Sequence, residues 1–248
     1  MEVKNIAIVG DSWAWGEWNF IGETNFPTHN GMQHYLQLEY PRANIVNFAR
    51  AGGSNLYQID YIEKHIGIDK FKDSFDIVVC FWTDPGRDIL NKIEGTADLS
   101  YYTEDLYISQ CNETAEQFLK QLDNLQLPVF LIGGQVSLPN ADMLSKCSNL
   151  IVTVDRMVNL VDKAFWNDDI NGPVKGKMDN TIDWMAPDRL SHLNFNEKFK
   201  DRLKVLQYEQ NLYPLNHKFF PDNGHAGRSL HRLASLKVIE QIGKLNGS

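Results

Sequence analysis

Two short segments at opposite ends of the 248-residue chain carry the residue types of nucleophilic catalysis. Gly10-Asp11-Ser12 follows the first apolar run, and Asp222-Asn223-Gly224-His225 precedes the last helical pattern. A serine hydroxyl is a poor nucleophile until a neighbouring imidazole takes its proton. A carboxylate beside that imidazole fixes its tautomer and stabilises its charged form. Asp222 and His225 lie three residues apart, a spacing that can turn both side chains to one side within a single turn. Plainer roles exist for each piece: Ser12 can cap a tight turn, and Asp222 can cap the last helix. The order of the pieces favours a hydrolase with Ser12 as nucleophile, His225 as base and Asp222 as its orienting acid.

Such residues need a scaffold that brings both ends of the chain together. Short apolar runs recur at 5–9, 44–48, 77–82, 129–132 and 150–154. The third, IVVCFW, is apolar without alternation, as expected of a strand covered on both faces. Leu56, Ile59, Ile62 and Ile66 recur near helical spacing, as do Ala115, Phe118, Leu119, Leu122 and Leu125 before Pro128 ends that pattern. Further helices are expected at 194–211, with Phe195, Phe199, Leu203 and Leu206 on one face, and at 229–245. Alternating strands and helices imply an α/β protein: three layers, α/β/α, around a parallel, flavodoxin-like sheet of about five strands. One domain is expected over 1–248, with an irregular insertion at about 165–193 that covers a site. Ligands on open parallel sheets bind at the carboxyl ends of the strands, which is where Ser12 falls.

Composition narrows the classes. Hydrophobic residues make up 43% and charged residues 23%, the profile of a soluble globule. A net charge of −8 argues against nucleic-acid binding, which needs clustered Lys and Arg. No apolar stretch approaches the roughly 20 residues of a membrane-spanning helix, and the first apolar run is too short for a secretory signal. Cys80, Cys111 and Cys147 are odd in number and far apart, which indicates neither a disulfide framework nor a zinc site. The expectation is a cytoplasmic protein without metal, cofactor, nucleic-acid or membrane partner. Neither GxSxG nor GxxxxGK[ST] nor HExxH occurs.

In combination these segments resemble the SGNH, or GDSL-like, hydrolases. Gly10-Asp11-Ser12 with Gly16 resembles the family's first block, and Asn47 to Gly52, within NFARAGGSN, its second. Asp222-Asn223-Gly224-His225 resembles the last, with His231 matching the Gly-His that often follows it. The third block usually reads Gly-x-Asn-Asp, whereas Thr83 stands here where Asn is expected, followed by Asp84, Pro85, Gly86 and Arg87. That variant resembles divergent, often phage-encoded members. The resemblance implies a serine esterase with an oxyanion hole made by the Ser12 and Gly52 amides, with Thr83 or Asn55 as side-chain donors. Asp11, Trp13, Arg50, Asp84 and Arg87 are the candidate substrate-binding residues. It further implies a small-molecule or carbohydrate ester as substrate, an O-acetyl group among the options. A lipase-like or thioesterase-like hydrolase, or a catalytically weak binding domain of a phage particle located in the virion, are the alternatives.

Overall fold

The computed structural model describes residues 3–17, 29–93, 99–134, 136–160, 197, 198, 200, 201 and 226–247. The expected insertion at about 165–193 and most of the expected helix at 194–211 lie outside them. Five strands form where the apolar runs place them: β1 Asn5–Val9, β2 Asn44–Asn47, β3 Ile77–Trp82, β4 Val129–Gly133 and β5 Leu150–Val154. All neighbours pair in parallel, in the order β2-β1-β3-β4-β5. β2 stops one residue early because the Asn47 side chain accepts from the Ala49 N–H and turns the chain. In this order the connections leave β1 towards β2 on one side and pass to β3 on the other. The crevice at that reversal, outside the carboxyl ends of β1 and β3, is the ordinary ligand position of such sheets.

The α-helices with both ends among the described residues are α1 Ser12–Trp15, α2 Gly31–Glu39, α3 Asn55–His65, α4 Ile68–Ser74, α5 Gly86–Ile93, α6 Glu104–Asp123, α7 Ala141–Leu144 and α8 Arg228–Gly247. Side-chain caps set several starts. Ser54 accepts from the Tyr57 N–H, Thr103 from Leu106 and Asn140 from Met143, each satisfying a donor the helix cannot. No helix among the described residues is long and apolar enough to cross a membrane.

Successive strand residues point to opposite faces, and the sheet divides its apolar residues accordingly. Ile6, Ile8, Ile77, Val79, Phe81, Phe130 and Ile132 pack against α2 and α8 through Met32, Leu36, Leu230, Ala234, Val238 and Ile242. Ala7, Val9, Val78, Cys80, Trp82, Val129 and Leu131 pack against α3, α4 and α6 through Ile59, Ile62, Phe71, Phe118, Leu119 and Leu122. These two cores make the three layers. β3 is buried at every residue, as its unbroken apolar run requires.

His231 is a polar residue buried beside the first core. It is fully buried on α8, packed against Gly31 with its ring 6.3 Å from that of Phe81. Burial pushes its pKa down from 6.5 to about 4, against the weaker opposing pull of the nearby Gly16 and Ala226 backbone and of Glu17. Folded His231 therefore stays neutral where the unfolded chain already binds a proton. Between pH 6.5 and 4 the unfolded state holds more protons, so stability rises with pH across that window. The full contribution is present above about pH 6.5 and is lost on acidification towards 4, amounting to roughly 3 kcal/mol. Urea unfolding at pH 7.5 and pH 4.5 tests this. His231→Gln is expected to shrink the difference between the two pH values by roughly 2–3 kcal/mol; an unchanged difference would show that another group carries the acid sensitivity.

Candidate active site

β1 delivers its last residue into a turn whose shape is set by Gly10. A Cβ at Gly10 would stand 2.4 Å from the Ala14 Cβ and 2.8 Å from the Phe81 Cβ, so no other residue lets α1 fold this closely over β3. Asp11 caps α1, accepting from the Trp13 N–H at 2.9 Å. Ser12 thus opens a helix at the carboxyl end of β1, with 6% of its surface exposed. After β2, the Gly53 N–H donates to the Arg50 carbonyl at 3.0 Å and closes a turn. Gly52 occupies the third position with φ +73°, the left-handed value that a type II turn demands and glycine supplies at little cost. Among the described residues no protein group accepts from the Gly52 amide. The Arg50 N–H donates to the Gly10 carbonyl at 3.0 Å, which fixes this turn beside the serine loop.

A buried knot joins these two loops to the one after β3. The second Asp11 oxygen accepts from the Thr83 hydroxyl at 2.7 Å and pairs with Arg87 Nη1 at 3.0 Å. The same Arg87 nitrogen donates to the Gly53 carbonyl at 3.2 Å. Asn55, the first residue of α3, grips the Thr83 backbone at both ends: its Nδ2 donates to the Thr83 carbonyl at 2.7 Å and its Oδ1 accepts from the Thr83 N–H at 2.9 Å. Asp84 accepts from the Gly86 N–H at 2.8 Å and so starts α5. Asp11 and Arg87 show only 3% and 7% of their side-chain surface to solvent.

This geometry corrects part of the sequence reading. Thr83 has one hydroxyl proton, and it is committed to Asp11 rather than aimed at an oxyanion. Asn55 has no exposed surface and is spent on Thr83. Asp11, Asp84 and Arg87 were expected to meet substrate; they are buried and hold loops instead. Trp13 was expected there too, yet it is buried in the first core, and Trp15 on the same short helix reaches the surface. Arg50 alone of the five faces outward. It lines an open cleft of about 380 Å³ together with Trp15, Ala51, Gly52, Gly53, Ser54 and Tyr57.

Asp222 and His225 lie outside the described residues. The chain immediately after them is held firmly. Ala226 is fully buried, and the Glu17 carboxylate accepts both from the Arg228 backbone N–H and from the guanidinium, with Nη2 at 2.8 Å. Burial raises the Glu17 pKa, but its bonds to Arg228 outweigh this and leave it below the ordinary carboxylate range. Sequence reasoning missed this clamp, because its partners stand 211 residues apart and neither belongs to a motif. The described residues thus bring together a serine at a strand end, an adjoining amide with no acceptor among them, and the start of α8 tied back to the serine loop.

No protein-family model matches the chain, and no curated protein matches it. Solved structures similar to it include a lipase/acylhydrolase from Enterococcus faecalis, 12% identical over 96% of this chain and 95% of that one, with a TM-score of 0.44. An acetylxylan esterase from Geobacillus stearothermophilus is 15% identical over 98% and 97%, with a TM-score of 0.41. A putative GDSL-like lipase from Parabacteroides merdae is 13% identical over 98% and 96%, with a TM-score of 0.44. At these scores neither the family nor the activity of any of them transfers to this chain, and its α/β fold rests on its own sheet order.

The knot has a measurable consequence. Asp11→Asn keeps the Oδ1 acceptor for the Trp13 N–H but puts an amide NH2 where Oδ2 met Thr83 and Arg87, and leaving the buried Arg87 charge without a counter-ion is expected to cost about 3–5 kcal/mol. Asp11→Asn combined with Arg87→Met removes both charges and is expected to recover most of that loss. Chemical denaturation of the single and double variants decides it: a single variant within about 1 kcal/mol of wild type would mean the pair is not a buried, mutually dependent one.

Proposed function

We propose that the chain is a serine hydrolase of carboxylic esters, in which Ser12 is the nucleophile, His225 the general base and Asp222 the carboxylate that orients it. The observation that carries this reading is Ser12 opening α1 at the strand-order reversal, beside a type II turn whose Gly52 amide has no acceptor among the described residues. Ser12 Oγ attacks the ester carbonyl carbon while His225 takes the hydroxyl proton. The carbonyl π pair moves onto oxygen, and the Gly52 amide, with that of Ser12, donates to the resulting oxyanion. Collapse expels the alcohol, which takes the proton from His225, and leaves an acyl-Ser12 ester. Water, deprotonated by the same base, then cleaves that ester and returns the serine.

Thr83, bonded to Asp11, adds nothing to this oxyanion hole. One donor is typically worth about 10² to 10³ in kcat, so a hole built from backbone amides alone supports a slower enzyme than one with a third, side-chain donor. The cleft favours a compact acyl group. It is open and lined by two glycines, an alanine, a serine and an arginine besides its rings, whereas a long acyl tail needs a closed apolar groove to repay its burial. Short acyl esters, the O-acetyl group of a carbohydrate among them, fit this lining better than lipid or thioester tails.

Two measurements test the assignment. Ser12→Ala is expected to abolish hydrolysis of 4-nitrophenyl acetate while the protein stays folded; wild-type turnover in that variant would refute Ser12 as nucleophile. Across 4-nitrophenyl esters of increasing acyl length, kcat/KM is expected to fall beyond butyrate, and a rise towards octanoate would overturn the short-acyl reading.

A further inference from the structure

We infer that Arg50 is a specificity-determining residue that selects esters carrying a carboxylate near the scissile carbonyl, an inference that rests on the ester hydrolysis proposed above. The two arginines of the site loops have different fates. Arg87 is buried and neutralised by Asp11. Arg50 is exposed in the cleft, and no carboxylate pairs with it among the described residues.

Its backbone is fixed to both halves of the chemistry. The Arg50 N–H donates to the Gly10 carbonyl, two residues before Ser12, and the Arg50 carbonyl accepts from Gly53, closing the turn that presents Gly52. The turn that roots this side chain therefore adjoins the serine loop, and the side chain shares the cleft with Gly52. The guanidinium is also held in place. It lies 4.6 Å over the Tyr61 ring and donates through Nη2 to the Tyr61 hydroxyl, while Tyr61 stands between Tyr57 and His65, with ring centroids 6.1 and 4.4 Å away.

Stacking on an aromatic ring and one hydrogen bond immobilise the fork but leave most of its five donors unspent. A preorganised planar fork matches a carboxylate, to which it can give two parallel bonds. The surrounding charge sharpens the choice. In a chain of net charge −8, a cation in the cleft with no carboxylate partner among the described residues marks a spot where an anion is favoured. A neutral ester would leave this cation idle.

The carboxylate can sit on the acyl side or on the alcohol side of the ester, and paired substrates separate the two. Mono-4-nitrophenyl succinate is compared with 4-nitrophenyl methyl succinate, and 4-acetoxybenzoate with its methyl ester. In one pair the anionic member is expected to have the higher kcat/KM by about tenfold, the scale of one charge-assisted hydrogen bond. That ratio is expected to fall with added salt, to collapse in Arg50→Gln and to be partly restored in Arg50→Lys, which keeps the charge but not the fork. A ratio equal in wild type and Arg50→Gln, with 4-nitrophenyl acetate still cleaved in a Ser12-dependent way, overturns the inference alone. Loss of Ser12 dependence overturns the underlying reading instead. A third arm needs no turnover: Ser12→Ala protein titrated with 4-acetoxybenzoate is expected to show saturable quenching of tryptophan fluorescence that Arg50→Gln abolishes. Equal quenching by the anionic and methyl esters would also overturn the selectivity.

Discussion

Three loops, after β1, β2 and β3, converge on one buried carboxylate. Asp11 accepts from the start of α1, from the Thr83 hydroxyl and from Arg87, and Arg87 passes the connection on to Gly53. A buried ion pair seldom adds net stability over well-packed apolar groups, because desolvating two charges consumes most of their attraction. What it does supply here is direction. Each bond of the knot has a required angle, and together they fix the serine turn against the Gly52 turn. Apolar packing of the same volume would hold the loops together without specifying how either one faces.

The scaffold beneath this knot was legible in the residues. The unbroken IVVCFW run became β3, covered on both faces, and the period of Leu56, Ile59 and Ile62 became the inner face of α3. Strand order was not written locally, but alternating elements allow few parallel arrangements, and the observed β2-β1-β3-β4-β5 is one of the common ones. The wall between the layers is therefore a consequence of apolar patterning, which sequence records directly.

The site was legible by residue type and much less by role. Arg50 and Arg87 read alike, each a cation just beyond a strand; burial beside Asp11 alone separates an internal strut from a cleft residue. Trp13 and Trp15 stand two positions apart on a helix, so they point to different sides, and no local pattern says which side is inside. Thr83 has a donor of the expected kind, but a hydroxyl has a single proton and the nearer carboxylate claims it. Glu17 gave no signal at all, since its meaning lies in a residue at the other end of the chain. In each case the missing information was a long-range contact.

The clamp from Glu17 to Arg228 and the knot at Asp11 act on the same stretch, residues 11–17, from opposite sides. One ties the serine loop to the loop of the Gly52 turn, and the other fixes the start of α8 to the serine loop. Acyl transfer at Ser12, with the oxyanion held by backbone amides, is the claim on which this account stands. A crystal structure of the protein inactivated by a small fluorophosphonate tests it most directly. The account predicts phosphorus bonded to Ser12 Oγ and a phosphonyl oxygen within hydrogen-bond distance of the Gly52 amide. An adduct on any other residue, or one on Ser12 whose oxygen turns away from Gly52, would contradict it.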